Sequence, residues 1–243
     1  MSAEPDFFDR AEQVFRSLLW RSDTKPLMPA VASLVEEVVA RVEGGQAAEV
    51  ALTDVFSRAR RDAIERLLAR SPPRWRRIVE ITVPQAPPQL GPDFHCDAGL
   101  GGLARWLRAA GYDAAFWPGI DDDDLLRKAT AGGAILITSD RRLMDRGVIA
   151  SGAVAALLTP ISLKKREQFA FVRDRLELPL KPTRCMACGG RLAAVDKEAV
   201  RERIPPRTYP WLDDYFECQR CRRLFWQGTH WQRIERVLRT EKN

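Results

Sequence analysis

Two Cys-x-x-Cys pairs near the end of the chain limit its possible folds more than any other feature. The first pair is Cys185 and Cys188, and the second is Cys218 and Cys221. Four thiolates brought together satisfy the tetrahedral coordination of Zn²⁺ and leave no open position for catalysis, whereas two disulfides would need an oxidising compartment. The spacer between the pairs exceeds the ~15–20 residues of common zinc motifs, so an insertion lies between the metal-binding turns. We therefore predict a structural zinc ion in a small ribbon over residues 181–243.

The remaining composition is that of a soluble globular protein. The chain has 243 residues, of which 45% are hydrophobic and 30% are charged, so it is long enough for one large domain or two modest ones. No stretch approaches the ~20 apolar residues of a membrane-spanning helix. The first residues are acidic, whereas a secretory signal begins with basic residues and continues with an apolar core. We expect a cytoplasmic protein with no membrane partner.

The first third of the chain has the pattern of a helical region. Apolar residues recur at helical spacing over residues 7–19, 30–42 and 47–70. A short strand is predicted at 78–83, and several prolines between Pro84 and Pro92 then form a stiff linker. We place a domain boundary there. Residues 1–89 carry no catalytic constellation, and we interpret them as a packing module or a binding region for a protein partner.

Strands and helices alternate in the middle of the chain, from residue 90 to residue 180. This alternation predicts an α/β fold in which helices cover both faces of a parallel sheet. The predicted strands are 94–96, 114–117, 134–138 and 153–158, and the predicted helices are 99–111, 121–131 and 163–176.

Acidic residues follow two of these strands. Asp97 comes directly after strand 94–96, and Asp140 comes just after strand 134–138. Active sites of open parallel sheets gather at the carboxyl ends of strands, so these side chains are expected to converge, and Asp121–Asp124 can enter the same cleft. Facing carboxylates repel one another unless a hard cation such as Mg²⁺ or Mn²⁺ compensates, and that ion can activate water against a phosphodiester. The acidic run also has a purely structural explanation, because carboxylates stabilise helix N-termini.

Most of the net charge of +6 lies in the last quarter of the chain. Arginines alternate there with tyrosine, tryptophan and phenylalanine. Guanidinium groups bind phosphates and flat rings stack on unpaired bases, so single-stranded RNA is a suitable ligand. A small ribbon also needs aromatic side chains for its core, and we expect about half of these rings to serve that purpose. The two histidines, His95 and His230, are assigned no role as a general base.

Taken in order, these residues resemble a known family, the PIN-like ribonuclease domain with a zinc ribbon that is named for the C-terminus of the Mut-seven exonuclease. The resemblance extends over about residues 93–238. Its motifs are Asp97-x-x-Leu-Gly-x-Leu-Ala-Arg-Trp-Leu-Arg-x-x-Gly-Tyr-Asp113, Asp-Asp-Leu-Leu-x-x-Ala, Ile-Leu-Ile-Thr-Ser-Asp140, the two cysteine pairs and Gly-Thr-His-Trp231.

The resemblance implies a PIN-like nuclease that binds Mg²⁺ or Mn²⁺ and cuts RNA. Carried onto this chain, the metal ligands are Asp97, Asp140 and an acid at the start of the 121–131 helix, for which Asp122 is favoured and Asp124 is second. Relatives often carry Glu where this chain has Ala98, which implies weaker ion binding here.

Five arginines are predicted to contact RNA. Arg105 and Arg141 lie near the strand ends and face the backbone of the substrate. The ribbon holds flanking single-stranded RNA through Arg220, Arg222 and Arg223.

Two alternatives remain open. The first is a non-catalytic RNA-binding or regulatory protein built on the same fold. The second is a phosphatase that uses Asp97 as nucleophile, although Ala98 and Gly99 leave out the second acid of the usual Asp-x-Asp arrangement. The RNA substrate and the choice between endo- and exonucleolytic cleavage are not predicted.

Overall fold

The described residues before position 70 are mostly helical, as predicted. The structure is a computed structural model that describes residues 5–22, 24–69, 93–132, 134–150 and 153–228, together with Ile234 and Leu238. The predicted strand at 78–83, the proline linker and His230 lie outside the described residues. No described helix is both long and apolar enough to cross a membrane. The first three helices are α1 (Pro5–Arg21), α2 (Leu27–Glu43) and α3 (Ala48–Ala69).

Four short strands form a parallel sheet in the order β2-β1-β3-β4. The predicted α/β class is therefore confirmed. The last strand is shorter than the predicted 153–158, because it begins only at Ala156, where the chain pairs with β3. The strands are β1 (Phe94–Cys96), β2 (Ala114–Phe116), β3 (Ile135–Thr138) and β4 (Ala156–Leu158).

Helices connect the strands and cover both faces of the sheet. The predicted helix 99–111 is a 3₁₀ turn, Ala98–Leu100, followed by an α-helix, and the two four-residue helices after β3 were not predicted because they are too short to show a period. The helices are α4 (Gly101–Ala109), α5 (Asp122–Gly132), α6 (Arg141–Met144), α7 (Gly147–Ala150) and α8 (Lys165–Arg175).

Alternate residues of each strand point to opposite faces of the sheet. Phe94 and Ile135 belong to a hydrophobic core that includes buried residues of α4, α8 and the first three helices. Leu136 packs with Leu125 of α5 and Leu143 of α6 on the other face. Both faces are therefore buried, which explains why β3 is continuously apolar from Ile135 to Ile137.

A buried ion pair also joins α1 to the sheet. The Arg16 side chain is only 1% exposed and pairs with Asp93, the residue before β1, and with Glu12. Its guanidinium carbon lies 5.2 Å from the centre of the Phe94 ring and 5.4 Å from that of Tyr112. Burial acts to lower the pKa of Arg16, but Asp93 and Glu12 raise it above its usual value, so this side chain remains charged.

The last part of the described chain is a small antiparallel sheet with strand order β5-β6-β7. The insertion that the long cysteine spacer predicted lies between β5 and β6 and contains a 3₁₀ helix, Glu198–Arg203. Tyr215 packs with Val200 and Ile204 in the ribbon core, whereas Trp211 is 82% exposed. The aromatic side chains thus divide between core and surface, as expected. The strands are β5 (Leu192–Val195), β6 (Tyr215–Cys218) and β7 (Leu224–Trp226).

Candidate active site and metal centre

The predicted acidic residues lie at the carboxyl edge of the parallel sheet, which we call the acidic edge. Asp97 follows β1, and Asp140 follows β3, the strand next to it in the sheet. After β1 the chain continues to β2, which lies on one side of β1 in the sheet, whereas β3 lies on the other side of β1. This is a topological switch point, where open α/β sheets have a crevice that binds ligands. The run Asp121–Asp124 begins α5 after the carboxyl end of β2, so it belongs to the same edge.

A buried threonine connects Asp97 to Asp140. Thr138 is fully buried at the end of β3, and its hydroxyl donates a 2.6 Å hydrogen bond to Oδ2 of Asp97. The same hydroxyl oxygen accepts a 2.9 Å hydrogen bond from the backbone N–H of Asp140. The two acidic residues are therefore held by one side chain. Sequence reasoning missed Thr138, although a hydroxyl at the end of an apolar strand was the available signal.

Backbone N–H groups orient both carboxylates further. Oδ1 of Asp97 accepts a hydrogen bond from the backbone N–H of Ala98 at 2.5 Å. Oδ1 of Asp140 accepts one from Arg142 at 2.7 Å, so Asp140 caps the N-terminus of α6. Each aspartate begins the helical segment that follows its strand, and this fixes the orientation of its side chain.

The four acids at the start of α5 have different partners. Oδ1 of Asp121 accepts a hydrogen bond from the backbone N–H of Asp124 at 2.9 Å, as a capping residue does. Asp123 pairs with Arg146, and Asp124 pairs with Arg127. Among the described residues, no cation pairs with the exposed Asp122. Of this run, Asp122 is therefore the residue whose carboxylate is most available to a ligand.

The structure does not gather the three predicted metal-binding carboxylates into one cluster. Asp97, Asp122 and Asp140 share the acidic edge, with Asp97 half-buried and the other two exposed. Among the described residues, one group of three or more candidate metal ligands has all its donor atoms within 4.8 Å of one another. That group consists of the four cysteines and contains no carboxylate.

His95 lies in β1 close to the acidic edge but faces a packed interior. The side chain is 2% exposed, and its ring makes an edge contact with Trp117, with 5.3 Å between the ring centres. Burial, together with the positive charge of Lys128, lowers the pKa of His95 to about 4. His95 is therefore neutral at physiological pH.

The four cysteine sulfurs form a compact group, so these residues could hold a metal ion such as zinc. Sγ of Cys185 lies 3.6 Å from that of Cys221, and Sγ of Cys188 lies 3.5 Å from that of Cys218. Zinc–sulfur bonds of ~2.3 Å in a tetrahedron separate the sulfurs by ~3.8 Å, whereas a disulfide needs ~2.05 Å. The arrangement matches a tetrahedral metal centre and not two disulfides.

The two cysteine pairs lie in turns of the same form. The backbone N–H of Gly189 donates to the carbonyl of Cys185 at 2.7 Å, and that of Arg222 donates to the carbonyl of Cys218 at 2.9 Å. Gly189 and Arg222 each follow the second cysteine of their pair, and both have a positive φ, of 81° and 60°. A side chain at Gly189 would also collide with Asp113. The four-cysteine site is thus built from two equivalent knuckles.

Arg108 and Asp113 fix this four-cysteine site to the α/β domain. The guanidinium of Arg108, at the end of α4, donates to the carbonyl oxygens of Met186 and Ala187 in the first knuckle, each at 3.0 Å. It also donates to the carbonyl of Ala114 at 2.8 Å. Asp113 accepts a hydrogen bond from Arg220 of the second knuckle at 2.7 Å.

Replacing Arg108 by methionine is expected to lower the free energy of unfolding by about 3 kcal/mol, because three carbonyl groups lose their donor. Arg105→Met is the matched control, since Arg105 lies on the same helix but is exposed, and its effect should stay within about 0.5 kcal/mol. Urea unfolding measures both values. Equal stability of the two variants would contradict the role of Arg108.

The five arginines predicted to contact RNA differ in their surroundings. Arg220 is engaged with Asp113 and with the carbonyl of Cys188, and Arg222 pairs with Glu217 at 2.7 Å. All five are exposed, but the other three have no hydrogen bond or ion pair to a described residue. These are Arg105, Arg141 and Arg223.

Comparison with known proteins identifies one related family. A family model described as the Mut7-C RNAse domain matches residues 92–238. No curated protein and no solved structure matches the chain. The matched residues include the parallel sheet, the acidic edge and the four cysteines.

Proposed function

The chain belongs to the Mut7-C RNAse domain family, and on this basis we propose that it is a metal-dependent ribonuclease that hydrolyses RNA phosphodiester bonds at its acidic edge. Membership supports a ribonuclease-like function and RNA as substrate. The observation that carries the proposed site is the link from Asp97 through Thr138 to Asp140 at the switch point of the sheet.

The donor atoms of the acidic edge suit Mg²⁺ or Mn²⁺. Asp97, Asp122 and Asp140 offer only carboxylate oxygens, which hard divalent cations prefer. Each carboxylate of Asp97 and Asp140 keeps lone pairs beyond those used in its hydrogen bonds. When bound, such an ion supplies Lewis-acid stabilisation for the charge that develops on the phosphate during hydrolysis.

The residues of the chain itself orient the substrate and the carboxylates. Thr138 and the N–H groups of Ala98 and Arg142 hold Asp97 and Asp140 in place. We assign contacts with the RNA backbone to Arg105 and Arg141, which are exposed. We assign zinc to the four-cysteine centre, where it stabilises the ribbon, and we assign binding of single-stranded RNA to the ribbon surface.

A second candidate function is a non-catalytic RNA-binding protein on the same fold. Two observations favour it: Ala98, directly after Asp97, offers no further carboxylate, and Asp97, Asp122 and Asp140 do not form one close ligand group.

An RNA-cleavage assay separates the two functions. Purified full-length protein is incubated with labelled single-stranded RNA and with DNA of the same sequence, in Mg²⁺, in Mn²⁺ and without added divalent ion. We expect RNA to be cleaved only when Mg²⁺ or Mn²⁺ is present. Binding of RNA without cleavage under all conditions would overturn the ribonuclease proposal in favour of the second candidate.

Replacing Thr138 by valine tests the linking hydroxyl. We expect RNA cleavage to fall at least tenfold, because Asp97 loses a donor and the N–H of Asp140 loses its acceptor, and stability to fall by about 1–2 kcal/mol. The control is Thr159→Val, because among the described residues the buried hydroxyl of Thr159 bonds only the Thr138 carbonyl, at 3.1 Å. Cleavage assays should show a loss for Thr138→Val alone; equal rates for the two variants would argue against this role.

A further inference from the structure

We propose that a pocket between α4 and the edge strand β7 binds one nucleotide of a single-stranded RNA. The pocket has a volume of about 550 Å³, within the ~300–1,000 Å³ typical of ligand sites. We call it the α4–β7 pocket. The inference rests on the proposed function, in which RNA is the substrate. It adds a place, separate from the acidic edge, where a single strand of that RNA is bound.

The charges of the pocket favour a phosphate. Arg105 lines the pocket from α4. Arg223, the residue directly before β7, lines it from the ribbon. Both side chains are exposed and have no partner among the described residues. A third lining residue, Arg203, pairs with Glu217, which also pairs with Arg222. None of the described lining residues is acidic, so Arg105 and Arg223 present two uncompensated guanidinium groups, which suit phosphate oxygens.

The apolar wall of the pocket favours a base. Phe225 and Trp226 of β7 line it together with Met186 of the first knuckle. Both rings are half-buried. The ring of Trp226 contacts Tyr215 in the ribbon core, with 6.4 Å between the ring centres. Aromatic rings beside cations bind single-stranded nucleic acid without a strong sequence preference, because every base can stack.

The position of the pocket relates it to the acidic edge. Helix α4 starts at Gly101, shortly after Asp97, and Arg105 lies about one helical turn further, ~5.4 Å along the axis. An RNA strand held in the pocket can therefore follow α4 to Asp97. Because Arg105 belongs to the α/β domain and Trp226 to the ribbon, the pocket depends on the contacts of Arg108 and Asp113 that keep the two parts together.

RNA binding by the double variant Arg105→Gln, Arg223→Gln tests the pocket. The full chain carries Asp140→Asn so that RNA stays intact, and fluorescence anisotropy follows a labelled oligouridine. We expect at least tenfold weaker binding and a salt dependence whose log–log slope is reduced by ~0.7 for each phosphate that the variant no longer neutralises. The control is Arg66→Gln, an exposed arginine on α3, which should stay within twofold of the parent. An abasic oligomer should also bind more weakly than oligouridine.

Each outcome has a distinct meaning. Unchanged affinity of the double variant would overturn the pocket, while cleavage of RNA by the unmodified protein would still support the proposed function. Arginine-dependent RNA binding by a protein that cleaves no RNA would support the pocket and overturn the ribonuclease. If a polyglutamate peptide displaced oligouridine and its own binding depended on Arg105 and Arg223, the site would be one for an acidic protein segment and the inference would be wrong.

Discussion

Replacing Cys221 by serine is expected to remove the bound metal ion and unfold the ribbon. Structural zinc in small domains contributes ~10–16 kcal/mol of binding free energy, and this energy stabilises the fold directly. The Cys221 side chain is exposed, so its loss removes a ligand without opening a cavity in the core. The metal content of the purified protein and its thermal unfolding measure the effect: we expect one zinc ion per chain in the parent and close to none in the variant.

Cys96 provides the control for this experiment. It is a free, buried cysteine in β1 and lies outside the four-cysteine group. Cys96→Ala should keep its zinc, although it removes an atom from the core. Full zinc content in Cys221→Ser would contradict the four-thiolate centre.

Replacing Asp140 by asparagine is expected to reduce RNA cleavage by about 10²–10⁴-fold, the range found when a group that stabilises charge or transfers a proton is lost. Asparagine is also a good N-cap, so the variant should keep the hydrogen bond that begins α6 and remain folded. The measurement is the single-turnover rate of RNA cleavage in Mn²⁺, with circular dichroism to verify the fold.

Asp145→Asn is the matched control, because Asp145 is an exposed acid at the other end of α6. Its cleavage rate should equal that of the parent. If Asp140→Asn cleaved RNA as fast as Asp145→Asn, the acidic edge would not be the catalytic site.

The sequence predicted the elements of the α/β domain well, since their signals are local. Strands were predicted at 94–96 and, from an apolar run, at 134–138, and both strands were found with bounds close to the predicted ones. The positions of Asp97 and Asp140 after those strands then predicted a shared edge, because all strands of a parallel sheet end on the same side. The short helices α6 and α7 escaped prediction because four residues are too few to show a helical period.

The sequence did not reveal the residues that act through contacts between remote segments of the chain. Arg108 and Asp113 stand in the motif that suggested the family, yet nothing near them in the chain indicates that they hold the cysteine knuckles. In the same way, the arginine-rich tail could not show that Arg220 and Arg222 are engaged by Asp113 and Glu217, whereas Arg223 has no partner among the described residues. Their partners lie elsewhere in the chain and become neighbours only on folding.

Spacing and periodicity alone predicted the helical start, the strand–helix alternation and the two Cys-x-x-Cys turns, since each depends on residues a few positions apart. Packing of distant segments established the strand order, the role of Thr138, the attachment of the ribbon through Arg108 and the pocket beside Arg105. Those features depend on which surfaces bury each other, and a buried polar group finds its partner wherever the folded chain places one.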